Sequence, residues 1–261
     1  MSAAPSPAGG RRRYVLANWK MHKGQAEAEA WARTVTQRLA PRPDVTVAVL
    51  PPFTALAATA RALGGGVELG AQDTYPGTSG AVTGGVGTDQ LRDLGVRFVL
   101  VGHSERRRLV GEDDTWVSRK VQALLAAEMV PVICVGEDAE ERGERRTDGV
   151  VRRQVAQAVE GVPAAALARI LWAYEPVWAI GSGHPATPEQ AAEAASTLRS
   201  ALRSRYGAEA DNHPLPVLYG GSVDPDNVAQ YAGAPGLDGA LVGGASLDPE
   251  AFVRLVERVS P

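Results

Sequence analysis

Short apolar runs recur along the chain at nearly regular spacing. They are rich in Val, Ile and Leu and hold few polar positions, which is typical of parallel β-strands covered on both faces. Eight runs predict eight strands, at Tyr14–Asn18, Val45–Leu50, Val67–Ala71, Val96–Gly102, Val130–Val135, Ile170–Tyr174, Val217–Tyr219 and Gly239–Val242.

The segments between these runs carry apolar residues at helical spacing, which gives each predicted helix one apolar face to pack on a sheet. Such stripes include Val117, Val121, Leu124 and Leu125, then Val151, Val155 and Val159, and finally Phe252, Leu255, Val256 and Val259. Three helix starts have an N-cap residue followed by proline at the first helical position. They are Thr187-Pro188, Asp224-Pro225 and Asp248-Pro249.

Eight strands, each followed by a helical segment and undivided by any linker, predict one α/β domain. The expected architecture is a closed (β/α)8 barrel of eight parallel strands over residues 14–261, after a flexible N-terminal arm at residues 1–13. A doubly wound open sheet is the second interpretation. The first strand is followed by Trp19-Lys20-Met21-His22 rather than a GxGxxG turn, which disfavours a dinucleotide site.

Composition and charge argue against several classes of protein. The chain has 261 residues, a formal net charge of −3 and one cysteine, which excludes a disulfide framework and argues against nucleic acid as a partner. No run reaches the roughly 18–20 apolar residues of a membrane span, so we expect a cytoplasmic protein. The four histidines show no paired ligand spacing, so we expect no metal site.

Polar residues just past the predicted strands are the candidates for chemistry, because the active site of such a barrel lies at the carboxyl ends of its strands. Lysine occurs at only three positions in the chain, and one of them, Lys20, follows the first strand. The candidates are Asn18, Lys20, His103, Ser104, Glu105, Cys134, Glu137, Glu175, Gly220-Gly221-Ser222 and Gly243-Gly244.

Glu175 is the first candidate for a general base. The apolar segment that follows it should desolvate the carboxylate, which raises its pKa and makes it a stronger base. A structural carboxylate that caps a loop is an equally good interpretation from position alone. The segment Pro176–Gly183 resembles a lid that closes over a reactive intermediate, although apolar loops more often pack permanently between helices.

His103 and Lys20 are the candidate polar partners. His103 precedes a predicted short helix at His103–Arg108, whose dipole disfavours imidazolium, so a neutral imidazole could donate a hydrogen bond to a substrate oxygen. A structural histidine is the more common alternative. The Lys20 ammonium suits a phosphate or a developing oxyanion, with a Schiff-base lysine or a surface charge as alternatives.

The glycines after strands seven and eight suit phosphate binding, because glycine lets backbone N–H groups approach an anion closely. A tight turn is the alternative for either glycine pair. Cys134 is expected to be a small core residue beside the site.

Six segments occur in the order of one known family and cover the chain from about residue 14 to its end. They are Asn18–Met21, Gly102–Arg107, Cys134–Glu137, Ala173–Gly181, Tyr219–Val223 and Leu241–Leu247. Together they resemble the triosephosphate isomerase family, whose fold is the TIM barrel.

The resemblance implies an aldose–ketose isomerase that interconverts dihydroxyacetone phosphate and glyceraldehyde 3-phosphate, in glycolysis and gluconeogenesis, without a cofactor. Glu175 would be the base and His103 the neutral electrophile. Lys20 and Asn18 would stabilise charge on substrate oxygens. The phosphate would bind to Gly181, Ser222, Gly243 and Gly244; Glu105 would position Lys20, and Cys134 and Tyr219 would support the site from behind.

The chain departs from the family pattern in the loop at 75–87, through which family members form homodimers. Thr83 is kept, but Val82 replaces an aromatic residue and Gly85 replaces a glutamate, so Arg106 loses its usual carboxylate partner. We therefore expect a homodimer that is weaker than usual. Elsewhere, His22 stands at a usual asparagine and Ser182 at a common threonine.

Two other functions are compatible with the same predicted barrel. An isomerase of a phosphorylated ketotetrose, such as erythrulose phosphate, would use the same base, electrophile and lid; Asn18 and the turn at 242–245 have the triose form here. A catalytically silent barrel that serves as a binding protein is disfavoured by the intact Glu175, His103 and Lys20.

Overall fold

Eight parallel strands close into one barrel in the computed structural model, which describes residues 12–181 and 185–259. The strands pair in chain order, and β1 pairs with β8 to close the barrel, with Tyr14 opposite Gly239. They are β1 (Arg13–Asn18), β2 (Val45–Leu50), β3 (Val67–Ala71), β4 (Phe98–Val101), β5 (Val130–Val135), β6 (Leu171–Tyr174), β7 (Val217–Tyr219) and β8 (Gly239–Val242).

Helices surround the barrel. The α-helices of the described residues are α1 (Gln25–Arg38), α2 (Phe53–Ala62), α3 (Thr88–Asp93), α4 (Ser104–Val110), α5 (Asp114–Ala126), α6 (Ala139–Gly143), α7 (Thr147–Ala158), α8 (Pro188–Tyr206), α9 (Val228–Ala232) and α10 (Pro249–Arg258). Short 3₁₀ helices lie at Ala164–Arg169, Val177–Ala179, Gly207–Asn212 and Gly244–Ser246.

The strands are mostly apolar because most of their residues are buried on both faces of the sheet. Alternate residues such as Leu16, Leu100 and Val132 fill the barrel interior. Their neighbours, such as Val15 and Val99, pack outward against the helices in a second and larger core. The period of two along a strand divides each run between these two cores.

The predicted barrel and its strand order are confirmed, with small shifts at the element ends. β4 begins at Phe98 rather than Val96, and β6 at Leu171 rather than Ile170. β1 includes Arg13, one residue before the expected boundary, and Arg12 donates to the Thr46 hydroxyl, while residues 1–11 of the predicted arm lie outside the described residues.

Two of the three predicted helix caps are confirmed. The Thr187 side chain accepts from the Gln190 amide, and the Asp248 side chain accepts from the Ala251 amide. The third prediction is wrong: Asp224 accepts from the amides of Asp226 and Asn227 in a turn, and α9 begins only at Val228.

Among the described residues, no helix has both the length and the apolar character needed to cross a membrane.

Candidate active site

A cavity of about 450 Å³ opens at the carboxyl ends of the strands. It is lined by Asn18, Lys20, His103, Glu175, Ile180, Gly181, Gly220, Gly221, Ser222, Val223, Asp224, Leu241, Gly243, Gly244 and Ala245. The structure thus brings together the predicted base, electrophile, lysine and phosphate-binding residues. A larger cavity of about 650 Å³, at the opposite end of the barrel beside Arg12, Tyr14 and Pro216, contains none of them.

Glu175 follows β6 directly, and its carboxylate is 2% exposed. Oε1 lies 2.9 Å from Nε2 of His103, and Oε2 accepts a 2.9 Å hydrogen bond from the Ser104 amide. These two donors come from the turn between β4 and α4. Each oxygen of the carboxylate is therefore held by one donor at the edge of the cavity.

The pKa of Glu175 shifts in the direction opposite to the one expected from the sequence. Burial raises the pKa of this carboxyl, as predicted, but His103, the Ser104 amide and Lys20 together lower it by more. The net direction is downward from the ordinary glutamate value. Hydrogen bonds and positive charge that favour the carboxylate outweigh its desolvation, so Glu175 stays ionised as a proton acceptor should.

His103 is the N-cap of α4, which begins at Ser104, one residue after the predicted start at His103. Nδ1 accepts a 3.2 Å hydrogen bond from the Glu105 amide, so this nitrogen carries no proton in the arrangement seen here. Nε2–H then donates to Glu175. Burial lowers the pKa of His103, and the Glu175 carboxylate raises it by more. As pH falls, Nδ1 releases the Glu105 amide and takes up a proton, and the imidazolium formed is the charge that lowers the pKa of Glu175.

Lys20 follows β1 at the rim of the cavity. Its Nζ lies 2.6 Å from Oε1 of Glu105, and its amide donates to Oδ1 of Asn18 at 3.1 Å. The backbone of Lys20 has a φ of 52°, in the left-handed region that few non-glycine residues occupy. This turn and the Glu105 carboxylate direct the ammonium toward the cavity, where the Lys20 side chain passes close to Gly243.

The loops after β7 and β8 provide the glycine-rich side of the cavity. Gly243 is the N-cap of the 3₁₀ helix at Gly244–Ser246 and Gly244 is its first residue, so backbone rather than side chain faces the cavity at both positions. A Cβ at Gly221 would lie 2.3 Å from the Tyr219 hydroxyl oxygen, so a larger residue there would have to displace the Tyr219 ring. This side of the cavity therefore suits an anion that binds backbone N–H groups.

Cys134 and Tyr219 lie outside the cavity lining, as expected of supporting residues. Cys134 is buried among the residues of the barrel interior, and that burial raises the pKa of its thiol well above the ordinary value. The ring of Tyr219 stacks on Tyr231 with centroids 3.9 Å apart and lies behind Gly221.

Glu137 holds the first part of the predicted lid in place. From the sequence it was a candidate residue after strand five, with no role assigned to it. Glu137 is buried and accepts hydrogen bonds from the Tyr174 hydroxyl at 3.1 Å and from Nε1 of Trp178 at 2.9 Å. Its carbonyl accepts from the Val177 amide. Ile180 and Gly181 line the cavity, whereas residues 182 and 183 of the predicted lid lie outside the described residues.

Arg106, which lacks the glutamate that Gly85 replaces, has two other carboxylate partners in its own chain. It lies 2.9 Å from Asp73 and 2.7 Å from Glu112. Lys120, which is 2% exposed, bridges the same two carboxylates. Glu112 also accepts from the Gly102 amide, so this buried cluster supports the turn that carries His103.

Sequence reasoning missed this cluster and also Gln154, which binds the backbone beside Glu175. The sequence could have indicated a buried role for Lys120. It is one of three lysines in an arginine-rich chain, and it lies on a predicted apolar helix face. The signal for Gln154 was a polar residue between Val151 and Val155 in the stripe of α7.

Comparison with known proteins agrees with this geometry. The sequence model of the family described as triosephosphate isomerase matches residues 13–259, nearly the whole chain. The chain belongs to the triosephosphate isomerase family.

Curated members of the family resemble the chain along almost their whole length. A triosephosphate isomerase from Syntrophotalea carbinolica is 44% identical, over 95% of this chain and 98% of its own length. Triosephosphate isomerases from Symbiobacterium thermophilum and Xanthobacter autotrophicus are each 46% identical, over 92% and 96% of this chain and 94% and 98% of their own lengths. The similarity thus extends over nearly the whole chain and nearly the whole length of each of these relatives.

Proposed function

We propose that this chain interconverts dihydroxyacetone phosphate and D-glyceraldehyde 3-phosphate. Family membership supports the reaction, and one observation carries its assignment to this site: Glu175, His103 and Lys20 surround a single cavity whose other side is glycine backbone. An ionised carboxylate, an N–H donor and an ammonium beside an anion-binding cradle are the groups that a proton transfer on a phosphorylated sugar needs.

In the forward reaction, the Glu175 carboxylate removes a proton from the hydroxymethyl carbon next to the ketone. The electron pair of that C–H bond forms the carbon–carbon double bond of an enediolate, and the ketone oxygen takes up the negative charge. A proton then passes from the hydroxyl of the first carbon to the charged oxygen of the second, with Nε2 of His103 as the shuttle, and return of the proton from Glu175 to the second carbon gives the aldehyde. The first carbon is oxidised and the second is reduced to the same extent, so the reaction needs no external oxidant or reductant.

His103 and Lys20 stabilise the oxygen that becomes charged. Nε2–H of His103 donates to Glu175 in the free protein, and a substrate oxygen replaces that acceptor when it enters. The Lys20 ammonium adds a positive charge on the same side of the cavity, with Asn18 at its base. Both groups are fixed before substrate arrives, so little reorganisation is needed as charge develops.

Gly181, Ser222, Gly243 and Gly244 hold the phosphate in this proposal. The chain carries a net charge of −3, so the dianionic substrate needs local donors against the average charge of the protein. The 3₁₀ helix after Gly243 and the glycine backbone supply them, together with Lys20. A lid over the cavity would keep water from the enediolate, which otherwise loses phosphate.

The experiment is a coupled assay of the purified chain with glyceraldehyde 3-phosphate and with erythrulose phosphate in parallel. We expect turnover of the triose phosphate at a kcat/KM far above that of the tetrose phosphate. Faster turnover of the tetrose would contradict the proposed substrate, and no turnover of either would contradict isomerase function.

We further infer a homodimer formed through the loop at 75–87. Within residues 12–181 and 185–259, five large apolar side chains are exposed, and all lie in segments that follow β1 to β4: Met21, Phe53, Val82, Leu109 and Val110. Exposed apolar residues gathered on one side of a protein are typical of an interface with another copy or partner. A cytoplasmic location stays a prediction made from the sequence.

A further inference from the structure

Gln154 is a polar residue on the buried face of α7. The other buried residues of this helix are Val150, Val151, Val155 and Ala158, and Gln154 itself is 5% exposed. Burial of a primary amide is costly unless its donor and acceptor groups are satisfied, so an apolar side chain would be the ordinary occupant of this position.

The Gln154 amide binds both backbone groups of one residue. Its oxygen accepts a 2.8 Å hydrogen bond from the Gly136 amide, and its nitrogen donates to the Gly136 carbonyl at 3.3 Å. Gly136 comes directly after β5, which ends at Val135. The Gln154 side chain therefore makes the two hydrogen bonds that a neighbouring strand would otherwise make. It holds the backbone of Gly136 in place one residue after the end of β5.

Gly136 in turn lies against the backbone of the proposed base. A Cβ at position 136 would be 1.8 Å from the carbonyl oxygen of Glu175, and the Glu175 amide donates to the Val135 carbonyl at 2.8 Å. The next residue, Glu137, binds Trp178 of the lid segment. A displacement of this turn would thus move the backbone of Glu175 and the lid anchor together.

We propose that Gln154 is a positioning residue for the isomerase reaction, which holds Gly136 and thereby fixes the backbone from which the Glu175 carboxylate reaches His103 and the Ser104 amide. The proposal rests on the function proposed above. Gln154 does not line the substrate cavity, so it acts through Gly136 and Glu175.

The test compares Gln154→Met with Gln157→Met, the same substitution at an exposed position of α7. With rates normalised to folded protein by circular dichroism, we expect Gln154→Met to lower kcat on the order of 10- to 10²-fold, because a base displaced by about 1 Å loses effective alignment. KM should change far less, since Lys20 and the glycine cradle are untouched. Gln157→Met should match the wild type.

A second measurement needs no turnover. The carboxyl carbon of Glu175 is titrated by NMR in the free wild type and in both variants. In Gln154→Met the weakened bonds from His103 and Ser104 should raise the Glu175 titration midpoint, while Gln157→Met leaves it unchanged. If Gln154→Met has the wild-type midpoint and the wild-type kcat per folded molecule, the positioning role is refuted.

Gln154→Glu covers the case in which Gln154→Met does not fold. A protonated carboxyl can accept from the Gly136 amide and donate to its carbonyl as the amide does, whereas an ionised one cannot donate. The kcat of this variant relative to wild type should fall as pH rises, and a pH-independent ratio would overturn the proposal. An inactive wild type would instead overturn the proposed reaction, and the carboxyl titration would still decide whether Gln154 positions Glu175.

Discussion

The properties of Glu175 depend on groups that are distant in the chain. The amide that binds Oε2 belongs to Ser104, which is 71 positions earlier. The sequence around Glu175 is apolar, and it correctly predicts burial. It does not contain His103 or Ser104, so it predicts the wrong direction for the pKa of the carboxyl.

The pH dependence of kcat/KM follows from that direction. The reaction needs Glu175 ionised, and a lowered pKa keeps it so; activity should therefore persist below the ordinary glutamate pKa and be lost as pH falls through the lower value. The profile is measured with glyceraldehyde 3-phosphate and corrected for the substrate phosphate, whose second pKa is near ~6. An acid limb that lies above the ordinary glutamate value after this correction would contradict the assignment.

The buried Lys120 is predicted to be essential for stability. Lys120→Met leaves the carboxylates of Asp73 and Glu112 with one cation, Arg106, and should cost about 3–5 kcal/mol in free energy of unfolding at neutral pH. Urea unfolding measures this cost, with the half-buried Lys23→Met as the matched control, expected to cost under about 1 kcal/mol.

The pH dependence of that cost gives a second check. Burial raises the pKa of Glu112, but Lys120 and Arg106 lower it by more, so its ionised form stabilises the fold at neutral pH and this contribution disappears as pH falls through the folded-state pKa. The difference between wild type and Lys120→Met should therefore shrink in acid. An equal cost at all pH values would show that Lys120 acts through packing alone.

At the scale of elements, periodicity predicted where strands and helices lie, and side-chain contacts decided how they end. Thr187 and Asp248 cap their helices as predicted, because each reaches an amide of the first turn. Asp224 has the same Asp-Pro pattern, yet its side chain closes an earlier turn. A two-residue pattern cannot distinguish these outcomes.

The lid segment gives an element-scale prediction. Trp178→Phe removes the Nε1 donor to Glu137 while keeping an aromatic ring, and we expect kcat to fall about tenfold, equivalent to about 1.4 kcal/mol. Steady-state kinetics measures this change. Trp116→Phe, on α5 away from the cavity, is the control; equal rates in the two variants would refute a role of the Glu137 anchor in turnover.

At the scale of the whole molecule, the sequence predicted the barrel because eight apolar runs, each followed by a helical segment, indicate a parallel sheet covered by helices, and eight such units form one closed barrel. The residues of the candidate site could be predicted because they follow the carboxyl ends of the strands, which lie together at one end of the barrel. The supporting residues could not be predicted in the same way, since Gln154 and Lys120 act across helix–strand contacts that periodicity leaves unspecified.

The exposed apolar side chains that follow β1 to β4 lead to a prediction about the oligomeric state. Met21 is 98% exposed, and Val82 and Gly85 alter the loop through which the dimer is proposed to form. We expect sedimentation velocity to show dimers at micromolar protein and dissociation at nanomolar protein. A tight dimer at nanomolar concentration would contradict the weakened interface, and a monomer at all concentrations would contradict the dimer.

The central claim is that Glu175 is the base of an isomerase. The most direct test is the rate of glyceraldehyde 3-phosphate isomerisation by Glu175→Gln, with circular dichroism to verify the fold. The glutamine side chain has nearly the same shape but cannot accept the proton, so kcat should fall on the order of 10²- to 10⁴-fold while the spectrum stays unchanged. A folded Glu175→Gln with near wild-type turnover would contradict the account.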